Sequence, residues 1–124
     1  MPTIARRRSG KRRSDGPSTT KRGYGHRYRE VRARILRAQD RCQDCLMGVH
    51  GPPRLCAADE VHHEPPIGVR RRDGIPDHAT GVLRLTRTPR HGEVRLWQPT
   101  KPGGPVMVPL CRECHRLRHG RHTR

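Results

Sequence analysis

The chain has 124 residues and a mass of 14.2 kDa, enough for one small domain. Lys and Arg number 28 against 11 acidic residues, for a formal charge of +17, and only 30% of residues are hydrophobic. So thin an apolar fraction excludes a large enzyme fold, and no apolar run approaches the roughly 18 residues of a membrane span. A core this small needs a staple, and five Cys and nine His are the material for one.

The charge repels itself unless a polyanion screens it, which makes nucleic acid the expected partner. Of the basic residues 25 are Arg, whose planar fork suits bidentate phosphate contacts. An anionic membrane surface fits less well, because no amphipathic helix with a bulky apolar face accompanies the charge. Two Tyr, one Trp and no Phe leave little for base stacking, so contact with a duplex backbone is expected.

Residues 1–26 are Arg, Lys, Ser, Thr and Gly with almost nothing to bury, which predicts a disordered basic arm. No apolar stretch follows its charges, so it does not read as a signal peptide. The expected location is cytoplasmic, either nucleoid-associated or phage-encoded, and thiols or metal ligands are then expected in place of disulfides. The rest, 27–124, reads as one domain.

Tyr28, Val31, Ile35 and Ala38 recur at helical spacing with Arg on the other faces, predicting an amphipathic helix over 28–39. A Cys pair follows at 42–45, then a Gly-Pro-Pro turn and Cys56. Residues 57–63 predict a short strand ended by Glu64-Pro65-Pro66. The stretch 68–104 is rich in Arg, Gly and Pro and reads as an insert. Within it, 82–86 and 94–97 alternate around Pro89 and Gly92, predicting a β-hairpin. Residues 106–110 predict a strand leading into the second Cys pair, and about 112–119 a short helix.

Cys42-x-x-Cys45 and Cys111-x-x-Cys114 offer four thiolates, the donor set of a closed structural Zn²⁺ site. Such a site converts metal binding into folding energy, which suits a core-poor chain. Cys56 is left over, as a small buried hydrophobe or a free thiol. His115 and His119 share a helix face at i,i+4 spacing and can hold one metal, with His62 as a third ligand. His63, an imidazole beside them, suits a general base. Adjacent residues on a regular strand face opposite ways, so one site for both His62 and His63 requires a distorted strand.

The order CxxC, VHHEPPI, VPLCRECHRLRH resembles the HNH endonuclease family. The resemblance covers roughly 28–120, with its specific matches at 42–45, 61–67 and 108–119. It implies an α+β fold: a small zinc-stapled ββα-metal domain behind the basic arm. It implies His63 as general base and His62, His115 and His119 as ligands of a catalytic divalent metal (Mg²⁺, Mn²⁺, Ni²⁺ or Zn²⁺). It also implies DNA phosphodiester hydrolysis leaving 5′-phosphate and 3′-hydroxyl ends, as an endonuclease or nickase. By analogy, small members of this shape resemble phage enzymes of DNA packaging or mobile elements. Candidate phosphate clamps are Arg70, Arg71, Arg72, Arg112, Arg116 and Arg118.

The chain departs from the family at its middle letter. That Asn helps to hold the general-base loop, whereas this sequence contains no Asn and the matching position falls near Val106. Asp77, His78, His91, Glu93 and Gln98 are the candidate substitutes. The same departure leaves open a catalytically degenerate zinc module that binds nucleic acid, and the charge and basic arm also fit a ribosomal-type RNA-binding zinc protein.

Overall fold

Residues 25–122 are described by the structure, a computed structural model. Nearly all of the predicted basic arm, 1–24, lies outside the described residues. Helix α1 (His26–Ala38) starts two positions before the predicted boundary. Its stripe buries Val31 and Ile35. Ala38, expected on that stripe, is exposed, because the helix ends there and the chain turns at Gln39. The Gln39 side-chain Nε2 then donates to the Arg95 carbonyl at 2.7 Å.

Helix α2 (Gln43–Met47) is one turn capped by the thiol of Cys42, which accepts from the Cys45 amide at 3.4 Å. Gly48 closes it at φ 68°, where a Cβ would also stand 2.9 Å from the Pro53 ring. The predicted strand over 57–63 is shorter than expected at its start. Ala57 makes only an isolated bridge to Arg41, and β1 is Glu60–Glu64.

Strand β1 pairs antiparallel with a later strand, β4 (Val106–Leu110), in unbroken register, with His62 opposite Val108 and His63 opposite Met107. All five residues of β4 are buried, so this strand is the floor of the core. Between the two lie helix α3 (Ile67–Arg72) and the hairpin β2 (Val82–Arg87) and β3 (Glu93–Gln98). The hairpin is where the alternation placed it, extended by one residue at three of its four ends. Helix α3 was not expected, since Gly68 and three consecutive Arg carry no helical apolar stripe. The last element, α4 (Arg112–His122), runs three residues beyond its predicted end.

Val31, Ile35, Val61, Trp97, Met107 and Leu110 form one core with the buried thiols of Cys42, Cys45 and Cys114. Gln43 docks the hairpin onto it: its amide group donates to the Trp97 carbonyl at 3.2 Å and accepts from the Trp97 amide at 2.7 Å. The fold is α+β, four helices with two small antiparallel sheets among the described residues. No helix among them is long and apolar enough to cross a membrane.

Candidate metal sites and the histidine cleft

The two CxxC turns, distant in sequence, meet behind β4. The four sulfurs of Cys42, Cys45, Cys111 and Cys114 lie within 4.8 Å of one another. Cys45 Sγ stands 3.9 Å from Cys111 Sγ and 3.6 Å from Cys114 Sγ. A tetrahedron built on Zn–S bonds of about 2.3 Å has edges of about 3.8 Å, so the cluster fits a structural metal such as zinc. The donor chemistry agrees. Burial pushes the Cys42 thiol up to about 12 and Cys114 up as well, so several thiolates can share this place only around a cation. At Cys45 burial also opposes ionisation, but hydrogen bonds led by that from Arg54 Nε, at 3.4 Å, bring its thiol down. Cys56 is half-buried beside this cluster, its carbonyl accepting from the Cys42 amide at 2.8 Å.

Asp44, one residue inside the first knuckle, is buried and accepts from Arg118 Nε at 2.7 Å and Nη2 at 2.6 Å. Burial alone would raise its pKa; Arg118 and then His50, at 2.9 Å, outweigh it and hold the carboxyl below its ordinary value. This pair pins α2 to α4, so the Arg118 guanidinium is committed inside the fold and is not a phosphate clamp.

The other side of α4 faces β1. Period-two alternation places Glu60, His62 and Glu64 on one face of that strand, and all three engage the histidine cluster. His62 rings sit edge-on to His115 and His119 at 5.3 and 5.4 Å between centroids. The Nε2 atoms of His115 and His119 are 3.0 Å apart. Ligands about 2.1 Å from one ion at right angles are separated by about the same distance. Glu60 Oε1 accepts from His115 Nδ1 at 2.5 Å, which leaves the His115 Nε2 lone pair facing His119. Glu64 Oε1 accepts from His62 Nε2 at 2.6 Å, and the buried His62 Nδ1 has no hydrogen-bond partner among the described residues. An orphaned imidazole nitrogen next to two converging ones is the donor set a divalent ion takes, and the ligand atoms of the three rings lie within 4.8 Å of one another.

His63 leaves β1 on the opposite face. No distortion of the strand is needed to join it to His62, because a cleft of about 220 Å³ is bordered by both, together with Tyr28, Arg32, His115 and His119. The His63 ring stacks on Tyr28 at 5.7 Å and 25°. Its Nε2 lies 3.2 Å from His78 Nδ1. Burial, followed by the charge of Arg70, pushes His63 down to about 3, so its ring is neutral at physiological pH.

Arg70 corrects the sequence reading most sharply. It is fully buried and contacts no solvent phosphate could reach. Its Nε donates to the Pro65 carbonyl, Nη1 to those of Pro76, Asp77 and Ala79, and Nη2 to those of Glu64 and Val106, at 2.8–3.3 Å. The other proposed clamps are at the surface. Arg71 pairs with Asp77 and Arg72 with Asp73. Arg112 is 84% exposed, 3.5 Å from Glu60, and Arg116 is exposed.

Of the five candidate substitutes for Asn, only His78 reaches His63. Asp77 is held by Arg71, while His91, Glu93 and Gln98 belong to the hairpin, Gln98 donating to Thr86. Sequence reasoning missed the roles of Tyr28, Glu60 and Glu64. For the two acids a signal existed, since i±2 spacing from His62 puts them on its strand face. Comparison of the chain with protein-family models, curated proteins and solved structures returned no match.

Proposed function

We propose that the protein is a metal-dependent DNA endonuclease or nickase of the HNH type. The observation that carries the reading is the cleft itself: three imidazoles converging to ligand spacing, each of two oriented by a carboxylate, with a fourth, neutral imidazole on the same wall. A structural zinc site explains the four thiols but has no use for this second cluster.

His62, His115 and His119 would hold the divalent ion, which when bound would supply positive charge to stabilise the scissile phosphate and the departing oxygen. Glu60 and Glu64 fix two of those rings in the tautomers that ligate. His63 accepts a proton from a water molecule in the cleft, and the hydroxide so formed attacks phosphorus in line. One P–O bond forms and the P–O3′ bond breaks, and the 3′ oxygen leaves as a hydroxyl with a proton from solvent. Arg112, Arg116 and Arg72, exposed at the surface, bind backbone phosphates.

The test is incubation of the zinc-loaded chain with supercoiled plasmid and Mg²⁺, Mn²⁺ or Ni²⁺. Nicking that requires the added metal, stops in EDTA and falls about 10²- to 10⁴-fold in His63→Ala is the expected result. Retention of zinc and of plasmid binding without any nicking overturns the reading in favour of a binding module.

A further inference from the structure

The chain has no Asn to hold a general-base loop, and the position that the family resemblance would give it falls near Val106, which has no polar side chain. We propose that His78 is the positioning residue for His63, fixing its ring so that Nδ1 is the unprotonated nitrogen presented to the cleft. This rests on the endonuclease reading for its catalytic consequence, but not for the geometry.

Three observations carry it. His78 Nδ1 is 3.2 Å from His63 Nε2. If His63 donates its Nε2–H to that atom, the lone pair of the ring is confined to Nδ1, the nitrogen a base needs free. Tyr28 then clamps both imidazoles, stacked on His63 and tilted against His78 at 5.4 Å. Finally, His78 cannot drift, because the carbonyls on either side of it, Asp77 and Ala79, both accept from Arg70 Nη1 at 3.2 and 2.9 Å. The same guanidinium holds the carbonyl of Glu64, the residue after His63, and that of Val106 across the sheet. One buried cation thus ties the residue beside the base to both neighbours of its orienting partner. Asp77 does not compete for His63, since Arg71 contacts both its carboxylate oxygens at 2.8–3.2 Å.

Asn is the discriminating substitution. Its Oδ1 occupies the place of the imidazole Nδ1 along the side chain and accepts a hydrogen bond. The zinc-loaded full chain, His78→Ala and His78→Asn are to be compared by long-range ¹H–¹⁵N correlation spectra of the imidazoles and by plasmid-nicking kinetics, with zinc content reporting an intact fold. In the parent chain and in His78→Asn, His63 is expected as the single Nε2–H tautomer; in His78→Ala the tautomers mix. The kcat of His78→Ala is expected to fall about 10- to 100-fold with KM unchanged, and His78→Asn to recover most of it. An unchanged His63 tautomer in His78→Ala, unchanged kcat, or an Asn variant no better than Ala overturns the proposal while the nuclease stands. If the parent chain does not nick DNA at all, the endonuclease reading fails and the tautomer comparison alone decides whether His78 positions His63.

Discussion

At Arg70 charge and burial pull in opposite directions. A guanidinium removed from water is costly; here burial works against its charge, the nearby charges of Asp77 and Glu64 only partly offset it, and no carboxylate pairs with it directly among the described residues. Five N–H groups facing six carbonyls repay that cost, with Nη1 shared among three of them. Arg71 and Arg72, its neighbours in sequence, remain at the surface. Nothing local distinguishes the three; only the turn of chain that closes over Arg70 does. Replacing it leaves a set of buried carbonyls without donors, so Arg70→Met is expected to lower the unfolding free energy by about 3 kcal/mol or more, whereas Arg72→Ala changes it by less than about 0.5 kcal/mol. Denaturant midpoints of the two zinc-loaded variants check this. A phosphate clamp at position 70 would give the reverse, a stable protein with weakened DNA binding.

Among the elements, those that announced themselves did so through short-range pattern. Strand β4 and helix α4 follow from an apolar run abutting CxxCH, the hairpin from alternation across a Pro–Gly turn, and the knuckles from spacing alone. Helix α3 stayed hidden because its stability comes from Arg70 and not from an apolar face. The likeness of His78 to four other candidates could not be resolved in one dimension, since the choice depends on where a loop folds back. At this scale the zinc knuckles join α2 to α4, a junction the Asp44–Arg118 pair reinforces. The chain is therefore expected to carry one tightly held zinc and to lose its helical circular dichroism when a strong chelator removes it. Cys45→Ser and Cys114→Ser are expected to bind no zinc. Cys56→Ser, outside the tetrahedral set, is expected to keep the full complement, measured by elemental analysis; loss of zinc there would redraw the ligand set.

For the molecule as a whole, the sulfur cluster and the imidazole cluster divide the work by chemistry. Four thiols behind β4 are placed to hold a structural metal such as zinc, while three imidazoles at a cleft are close enough together to hold a second ion, the one the proposed nuclease would need. Helix α4 serves both, with Cys114 buried on one side and His115 and His119 turned toward β1. The formal charge of +17 suits the polyanionic substrate that the proposed endonuclease would take. The most direct test of this division is a calorimetric titration of Ni²⁺ into the zinc-loaded chain, alongside His115→Ala and Glu60→Gln. One further ion per chain is expected to bind, its affinity abolished by His115→Ala and weakened about 10- to 100-fold by Glu60→Gln, with zinc content constant throughout. Absence of any site beyond the zinc, or a site indifferent to His115, would contradict it.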